Sequence, residues 1–168
     1  MEVFLLKKLN ILIILLCIFL LPGCAFDDPK YLHLSEKNDI ALYTKELKTK
    51  LQNKEMFSLE LFDTNLYKDI SISNEENSIL NNFVTSLSTE NFKEEDIPAD
   101  REPFQIRVTF KDGSKFIIKV FNDKIISINP WDGNYKEDII SMEGLPIHYN
   151  LYDFCKHIQN ESRSIKDS

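Results

Sequence analysis

Residues Pro103 to Trp131 read PFQIRVTFKDGSKFIIKVFNDKIISINPW. In the first part of this stretch every second residue is apolar, a period of two that is typical of a strand with one buried and one exposed face. Two pairs of turn-forming residues, Asp112-Gly113 and Asn122-Asp123, divide the stretch into three segments. The pattern therefore predicts three consecutive antiparallel strands.

The turn at Asp112-Gly113 decides how the first two strands pair. A two-residue loop would turn the apolar side chains of the second strand to the opposite face, because a shift of one residue reverses the direction of every side chain. A three-residue loop with Gly113 in the left-handed conformation, a G1 bulge, keeps the apolar side chains of both strands on one face. We therefore predict the bulged turn, which pairs Val108 with Phe116, Ile106 with Ile118 and Phe104 with Val120. The same argument places Ile126 and Ile128 beside Val120 and Ile118.

Helix and strand patterns flank this stretch. Apolar residues recur at spacings of three and four in residues 39–51, 79–87 and 150–159, which predicts three amphipathic helices. Ser73 and Glu76 have the spacing of a capping box before the second helix. Residues 57–62 and 67–73 alternate as strands, whereas residues 89–101 are predicted to form a loop. The prediction is an α+β domain in the order α-β-β-α-β-β-β-α, with an antiparallel sheet of about five strands and a helix packed on one face.

The N-terminal segment resembles an export signal. Lys7 and Lys8 precede an almost wholly apolar run, and Leu21-Pro22-Gly23-Cys24 resembles a bacterial lipobox, whose cysteine is diacylated and becomes the new N-terminus. A plain membrane anchor and an ordinary secretory signal are the alternatives. We predict a lipoprotein signal peptide at 1–23, lipid attachment at Cys24, a tether at 24–38, one domain at 39–160 and a frayed tail at 161–168.

Charge and cysteine content agree with export. Removal of residues 1–23 takes away two lysines and one glutamate, so the net charge changes from −7 to −8, which argues against a nucleic-acid partner. Of the three cysteines, Cys17 would leave with the signal and Cys24 would carry lipid. Cys155 then has no intramolecular partner, and its place on a helical apolar stripe predicts a core residue.

The segment after the third predicted strand contains the most unusual combination of side chains. Aromatic rings stack on sugars or peptides, and neighbouring polar groups fix their orientation. The alternative is that Trp131 and Tyr135 only pack over the sheet. The candidate contact loop consists of Trp131, Asp132, Asn134 and Tyr135.

The sequence contains no recognisable catalytic or cofactor motif, and we predict no cofactor and no metal site. His33, His148 and His157 are too scattered to indicate zinc by their spacing. A weak calcium pattern comprises Asp132, Asn134, Glu137 and Asp138. We therefore predict a non-enzymatic binding or interaction module. The alternatives are a small envelope hydrolase or an inhibitor of an envelope enzyme, using acids such as Asp132 and Glu137, and a purely structural envelope component.

Three stretches together resemble a known family. They are LPGC at 21–24, FQIRVTFKDGSKFIIKVFNDKIISINPWDGNY at 104–135 and LPIHYNLYDFCKHI at 145–158. The chain is similar to a family of small uncharacterised lipoproteins, found mainly in clostridia, that carry a domain of unknown function. The resemblance implies a Gram-positive source and an envelope location, and we predict a lipid-anchored protein on the outer face of the cytoplasmic membrane. It implies no activity, and the expected partners are the membrane through Cys24 and an envelope protein or cell-wall glycan.

Overall fold

The structure is a computed structural model that describes residues 37, 39–94, 97–131 and 136–164. The predicted signal peptide, Cys24 and nearly all of the tether lie outside these residues, as do residues 132–135 of the candidate contact loop. The helices are α1 (Leu42–Gln52), α2 (Ser78–Ser86) and α3 (Leu151–Ser164). The strands are β1 (Phe57–Asp63), β2 (Lys68–Ser71), β3 (Phe92–Lys93), β4 (Phe104–Phe110), β5 (Lys115–Val120), β6 (Ile125–Pro130) and β7 (Asp138–Ser141). Short 3-10 helices occupy Asn74–Asn77, Thr89–Asn91 and Ile147–Tyr149.

One antiparallel sheet contains all seven of these strands, in the order β2-β1-β4-β5-β6-β7-β3. The α+β class is confirmed, but the predicted number of about five strands and the predicted element order are wrong. The two additional strands are β3, in the predicted loop, and β7. β3 has only two residues, and β7 begins with a buried aspartate. Neither segment therefore shows the alternation from which a strand can be recognised.

The β4–β5 hairpin has the predicted bulged turn. Gly113 has a φ of +88°, in the left-handed region that glycine adopts without steric cost. The backbone N–H of Gly113 donates to the carbonyl of Phe110 over 3.0 Å, and the N–H of Phe110 donates to the carbonyl of Ser114 over 2.9 Å. All three predicted pairs between β4 and β5 are present. Ile126 pairs with Val120 and Ile128 with Ile118, so the predicted register of β6 is also confirmed.

The core lies between the sheet and the three helices, which all pack on the same face. Alternate residues of β1, β4, β5 and β6 share one buried cluster with apolar residues from every helix. α1 lies over β6 and β7, and α3 lies over β1 and β2. The prediction of a central helix on one face is therefore correct but incomplete. The helix residues in the core are Tyr43, Leu47, Leu51, Leu80, Phe83, Val84, Leu151, Cys155 and Ile158.

Asp138 joins the start of α1 to β7. Its Oδ2 accepts hydrogen bonds from the backbone N–H and the hydroxyl of Thr44, at 2.6 and 2.8 Å, so a strand residue caps the helix. Its Oδ1 lies 2.5 Å from the Nζ of Lys37. Burial raises the pKa of the Asp138 carboxyl, and the bonds to Lys37 and Thr44 oppose that rise.

Two helix ends differ from the sequence analysis. Ser73 and Glu76 contact each other through their side chains, but a 3-10 turn follows Ser73 and α2 begins only at Ser78. At the other end of the chain Asn150 accepts a hydrogen bond from the N–H of Tyr152 over 3.0 Å, close to the start of α3. α3 continues to Ser164, into residues that the sequence analysis assigned to the tail.

Candidate functional site

The side of the sheet opposite the helices, which we call the helix-free face, carries a row of aromatic and cationic side chains. The alternation along each strand places Phe62 of β1 and Arg107 of β4 on this face, because their neighbours Leu61 and Ile106 point into the core. Trp131 follows the last residue of β6. The row therefore crosses the middle of the sheet, where the strands are longest and most fully hydrogen-bonded.

Arg107 is the centre of this row. Its guanidinium carbon lies 4.3 Å from the centre of the Phe62 ring and 4.7 Å from that of the Trp131 ring. A cation over an aromatic ring is attracted by the negative ring face, by about 0.5–2 kcal/mol for each pair. One guanidinium nitrogen also lies 2.7 Å from Asp69 Oδ1 and 3.6 Å from Glu60 Oε2. These contacts fix the guanidinium against both rings.

Trp131 is fixed by its backbone while its ring remains accessible. Its N–H donates to the carbonyl of Lys115 over 3.1 Å, which continues the pairing of β6 with β5 by one residue. Trp131 as a whole residue is 39% exposed, and the Lys115 ammonium lies 6.0 Å from the centre of its ring. The structure thus places the first member of the predicted contact loop on the helix-free face. Asp132, Asn134 and Tyr135 lie outside the described residues.

Tyr67 extends the row toward the β2 edge. It is 74% exposed, and its ring meets that of Phe62 edge to face at 5.8 Å. The Arg101 guanidinium lies 5.3 Å from the Tyr67 ring. The backbone of Tyr67, in the turn between β1 and β2, has a φ of +50°, a conformation that is unusual outside glycine. Two exposed aromatic rings, Tyr67 and Trp131, therefore lie at opposite ends of the row.

Trp131 was predicted from the sequence as a contact residue, whereas Phe62, Tyr67 and Arg107 were not predicted as members of a site. Arg107 and Phe62 were recognisable only as residues of an outward strand face. Their contact depends on the pairing of β1 with β4, and a helix and two short strands separate these partners in the chain. Local alternation indicates which face a residue occupies, but it does not show which distant strand lies beside it.

The acids that suggested hydrolysis or calcium binding do not share one site among the described residues. Glu137 accepts hydrogen bonds from Lys119 and from the Ser127 hydroxyl. The neighbouring Asp138 is fully buried and bonds to Thr44 of α1 on the helix-covered face. Both carboxylates are therefore engaged in bonds within the fold, and they belong to different environments.

Cys155 is a core residue, as the sequence analysis predicted. It is fully buried among the residues of the main core cluster, and burial raises the pKa of its thiol far above the usual value. A thiol that remains protonated and has no access to solvent is a poor nucleophile. His148 packs against Tyr149 with ring centres 4.1 Å apart, whereas His157 lies near Glu76 and Glu161.

The described part of the chain is thus an α+β domain with three helices on one face of its sheet and an aromatic and cationic row on the other. Residues 37–155 match the family described as Domain of unknown function (DUF4883), so the chain belongs to that family. The expected resemblance to uncharacterised clostridial lipoproteins is confirmed at the level of the family.

The chain is also similar to a solved structure described as "Putative Lipoprotein from Clostridium perfringens". The TM-score is 0.68 and the sequence identity 25%, over 74% of this chain and 98% of the other. The search of curated proteins gave no match. No helix among residues 37–164, within the described ranges, is long and apolar enough to cross a membrane.

Proposed function

We propose that this protein is a lipid-anchored, extracytoplasmic binding module of the bacterial cell envelope, and that its helix-free face binds a glycan of the cell wall. Anchoring through Cys24 on the outer face of the cytoplasmic membrane is supported by the Leu21-Pro22-Gly23-Cys24 sequence. The similarity to a clostridial protein described as a lipoprotein supports it as well. The proposed role is non-enzymatic.

The row of Phe62, Arg107 and Trp131 carries the binding proposal. Sugar rings have apolar faces that stack on aromatic rings, while their hydroxyls need hydrogen-bond donors and acceptors nearby. Trp131 supplies an exposed ring, and Arg107 and Lys115 supply donors beside it. The contacts of Arg107 restrict the ring before any ligand binds, so less entropy is lost on binding.

The bonding of Glu137 favours a binding role over glycan hydrolysis. A general acid must be able to give a proton to the substrate, and hydrolysis of a glycosidic bond requires two suitably spaced carboxyl groups. Glu137 is already bonded to Lys119 and Ser127, and the adjacent Asp138 is buried on the other side of the sheet.

Binding can be tested with purified cell wall and with soluble wall fragments. Trp131 is the single tryptophan of the chain, so intrinsic fluorescence reports directly on the proposed site. We expect a saturable fluorescence change on titration with soluble glycan fragments, and cosedimentation of the domain with insoluble wall. Trp131→Ala is expected to weaken the affinity for insoluble wall, measured by cosedimentation, at least tenfold. Trp131→Phe retains an aromatic ring and should lose less of this affinity.

Ile147→Ala serves as the matched control, because Ile147 is 80% exposed and belongs to the 3-10 helix that precedes α3. Equal binding by the Trp131→Ala and Ile147→Ala variants would exclude the helix-free face as the site. Crosslinking from this face to a protein segment in place of glycan would also overturn the glycan proposal.

Anchoring is tested separately in cells. The wild-type chain should incorporate a labelled fatty acid and fractionate with the membrane, while Cys24→Ala should do neither. A Cys24→Ala variant that still incorporates the fatty acid would show that Cys24 is not the lipid attachment site. That result would leave the binding measurements unaffected.

A further inference from the structure

Outside the helix-free face, Glu76, His157 and Glu161 bring three possible metal-ligand atoms together. One oxygen or nitrogen atom of each side chain lies within 4.8 Å of the others. His157 and Glu161 are four residues apart on α3 and therefore share one helix face. Glu76 comes from the 3-10 turn that precedes α2, so the fold and not local sequence creates the group.

The distances between these atoms suit a small transition-metal ion. Ligands about 2.1 Å from a tetrahedral metal lie about 3.4 Å from one another. The Nε2 of His157 is 3.4 Å from Glu161 Oε1 and 3.8 Å from Glu76 Oε1. The three side chains can therefore bind one ion with only small movements, leaving a fourth position for water.

The surroundings orient the Glu76 carboxylate. Its Oε2 lies 3.3 Å from the Ser73 hydroxyl, which donates a hydrogen bond to it, so the other oxygen is directed toward His157. A second group that holds a ligating carboxylate in this way is a common feature of metal sites. His157 and Glu161 are more than half exposed, so an ion can reach them directly from solvent.

We propose that Glu76, His157 and Glu161 form a surface site for Zn²⁺. The imidazole nitrogen favours zinc over magnesium and calcium, which prefer sites made wholly of oxygen. Two carboxylates supply the negative charge that balances the ion. The buried thiol of Cys155 is not accessible as a competing ligand.

Calorimetric titration of the untagged protein with ZnCl₂ tests the proposal. We expect saturable binding of one ion, with no comparable binding of Mg²⁺ or Ca²⁺ at the same concentration. His157→Gln should weaken zinc binding at least tenfold, and Glu76→Gln and Glu161→Gln should each weaken it severalfold. His148→Gln is the matched control, because His148 is exposed, meets the Tyr149 ring edge to face and is not one of the three clustered ligands.

His157 is exposed on the surface of α3, so its replacement should not unfold the protein, and thermal unfolding without metal verifies this. NMR provides a direct second measurement, since zinc should shift the imidazole signals of His157 and leave those of His148 unchanged. Absence of saturable binding at about 1 mM ZnCl₂, a concentration that reveals even a weak specific site, would overturn the proposal. So would unchanged affinity in the His157→Gln variant.

Discussion

At the scale of single residues, Asp138 shows how one buried carboxylate connects a helix to a strand. It accepts two hydrogen bonds from Thr44 and forms an ion pair with Lys37, although the carboxylate is fully buried. Burying an ion pair gains little net free energy, but removal of one partner leaves a buried charge without compensation. Replacing Asp138 alone should therefore lower the free energy of unfolding by more than the intact ion pair contributes to it.

We predict that Asp138→Asn lowers the free energy of unfolding by about 3 kcal/mol, because Lys37 loses its counterion in a buried site. Urea unfolding measures this loss. Adding Lys37→Met to the variant should recover part of it, since the double variant buries no unpaired charge. Asp123→Asn, in an exposed turn, is the control, and equal losses in the two single variants would contradict the prediction.

Asp112 forms a different kind of ion pair, in the exposed turn between β4 and β5. The hydrogen bond from Lys50 and those from Ser114 lower the pKa of the Asp112 carboxyl well below its usual value of 3.8. Burial tends to lower the pKa of Lys50, but the hydrogen bonds to Asp112 and Glu55 outweigh it and raise that pKa. The pair joins the last turn of α1 to the turn after β4.

Because its pKa is lower in the folded state, ionised Asp112 stabilises the fold fully above pH 3.8. This stabilisation is lost as the pH falls below that value. We predict that Asp112→Asn lowers the free energy of unfolding by about 0.5 kcal/mol at pH 7, a small effect since Asp112 is half exposed. The difference from wild type should shrink between about pH 4 and pH 2.5, as measured by urea unfolding. A difference that stays constant over this range would contradict the ion-pair explanation.

At the scale of elements, the β4–β5–β6 meander was predictable in detail. The turn chemistry and the alternation of apolar residues agree on one register, and the structure has that register. β3 was not predictable, because its pairing with β7 depends on contacts between residues about fifty positions apart in the chain, such as Asn91 with Ser141. β7 pairs with the nearby β6, but its residues do not alternate between buried and exposed positions. Short elements held by distant partners leave no periodic signal in the sequence.

The turn at Gly113 permits a direct test of the bulge. A Cβ at this position would meet nothing within 4 Å, so substitution introduces backbone strain without a steric clash. We predict that Gly113→Ala lowers the free energy of unfolding by about 1 kcal/mol. Gly113→Asn should lower the free energy of unfolding by less than Gly113→Ala does, because asparagine tolerates the left-handed conformation better than alanine. Chemical denaturation measures both, and equal stability of wild type and Gly113→Ala would contradict the assigned turn.

At the scale of the whole molecule, Cys155 lies where α3 meets the rest of the core. In a soluble protein that lacks residues 1–23 and carries Cys24→Ala, Cys155 is the single thiol. We predict that a thiol reagent labels it only when the domain unfolds, so labelling and loss of tertiary structure should have the same urea midpoint. Rapid labelling of the native protein would show that α3 opens independently. A Cys155→Ala variant identifies any reaction at other groups.

Both outer strands of the sheet are short: β2 has four residues and β3 only two. Proteins attached to a membrane collide in two dimensions, where long unpaired strands on neighbouring molecules could join one sheet to the next. β3, with only two residues, offers too few free backbone N–H and C=O groups to pair with a strand of a neighbouring molecule. If the protein is anchored as proposed, we therefore expect neighbouring copies not to join through the β3 edge of their sheets.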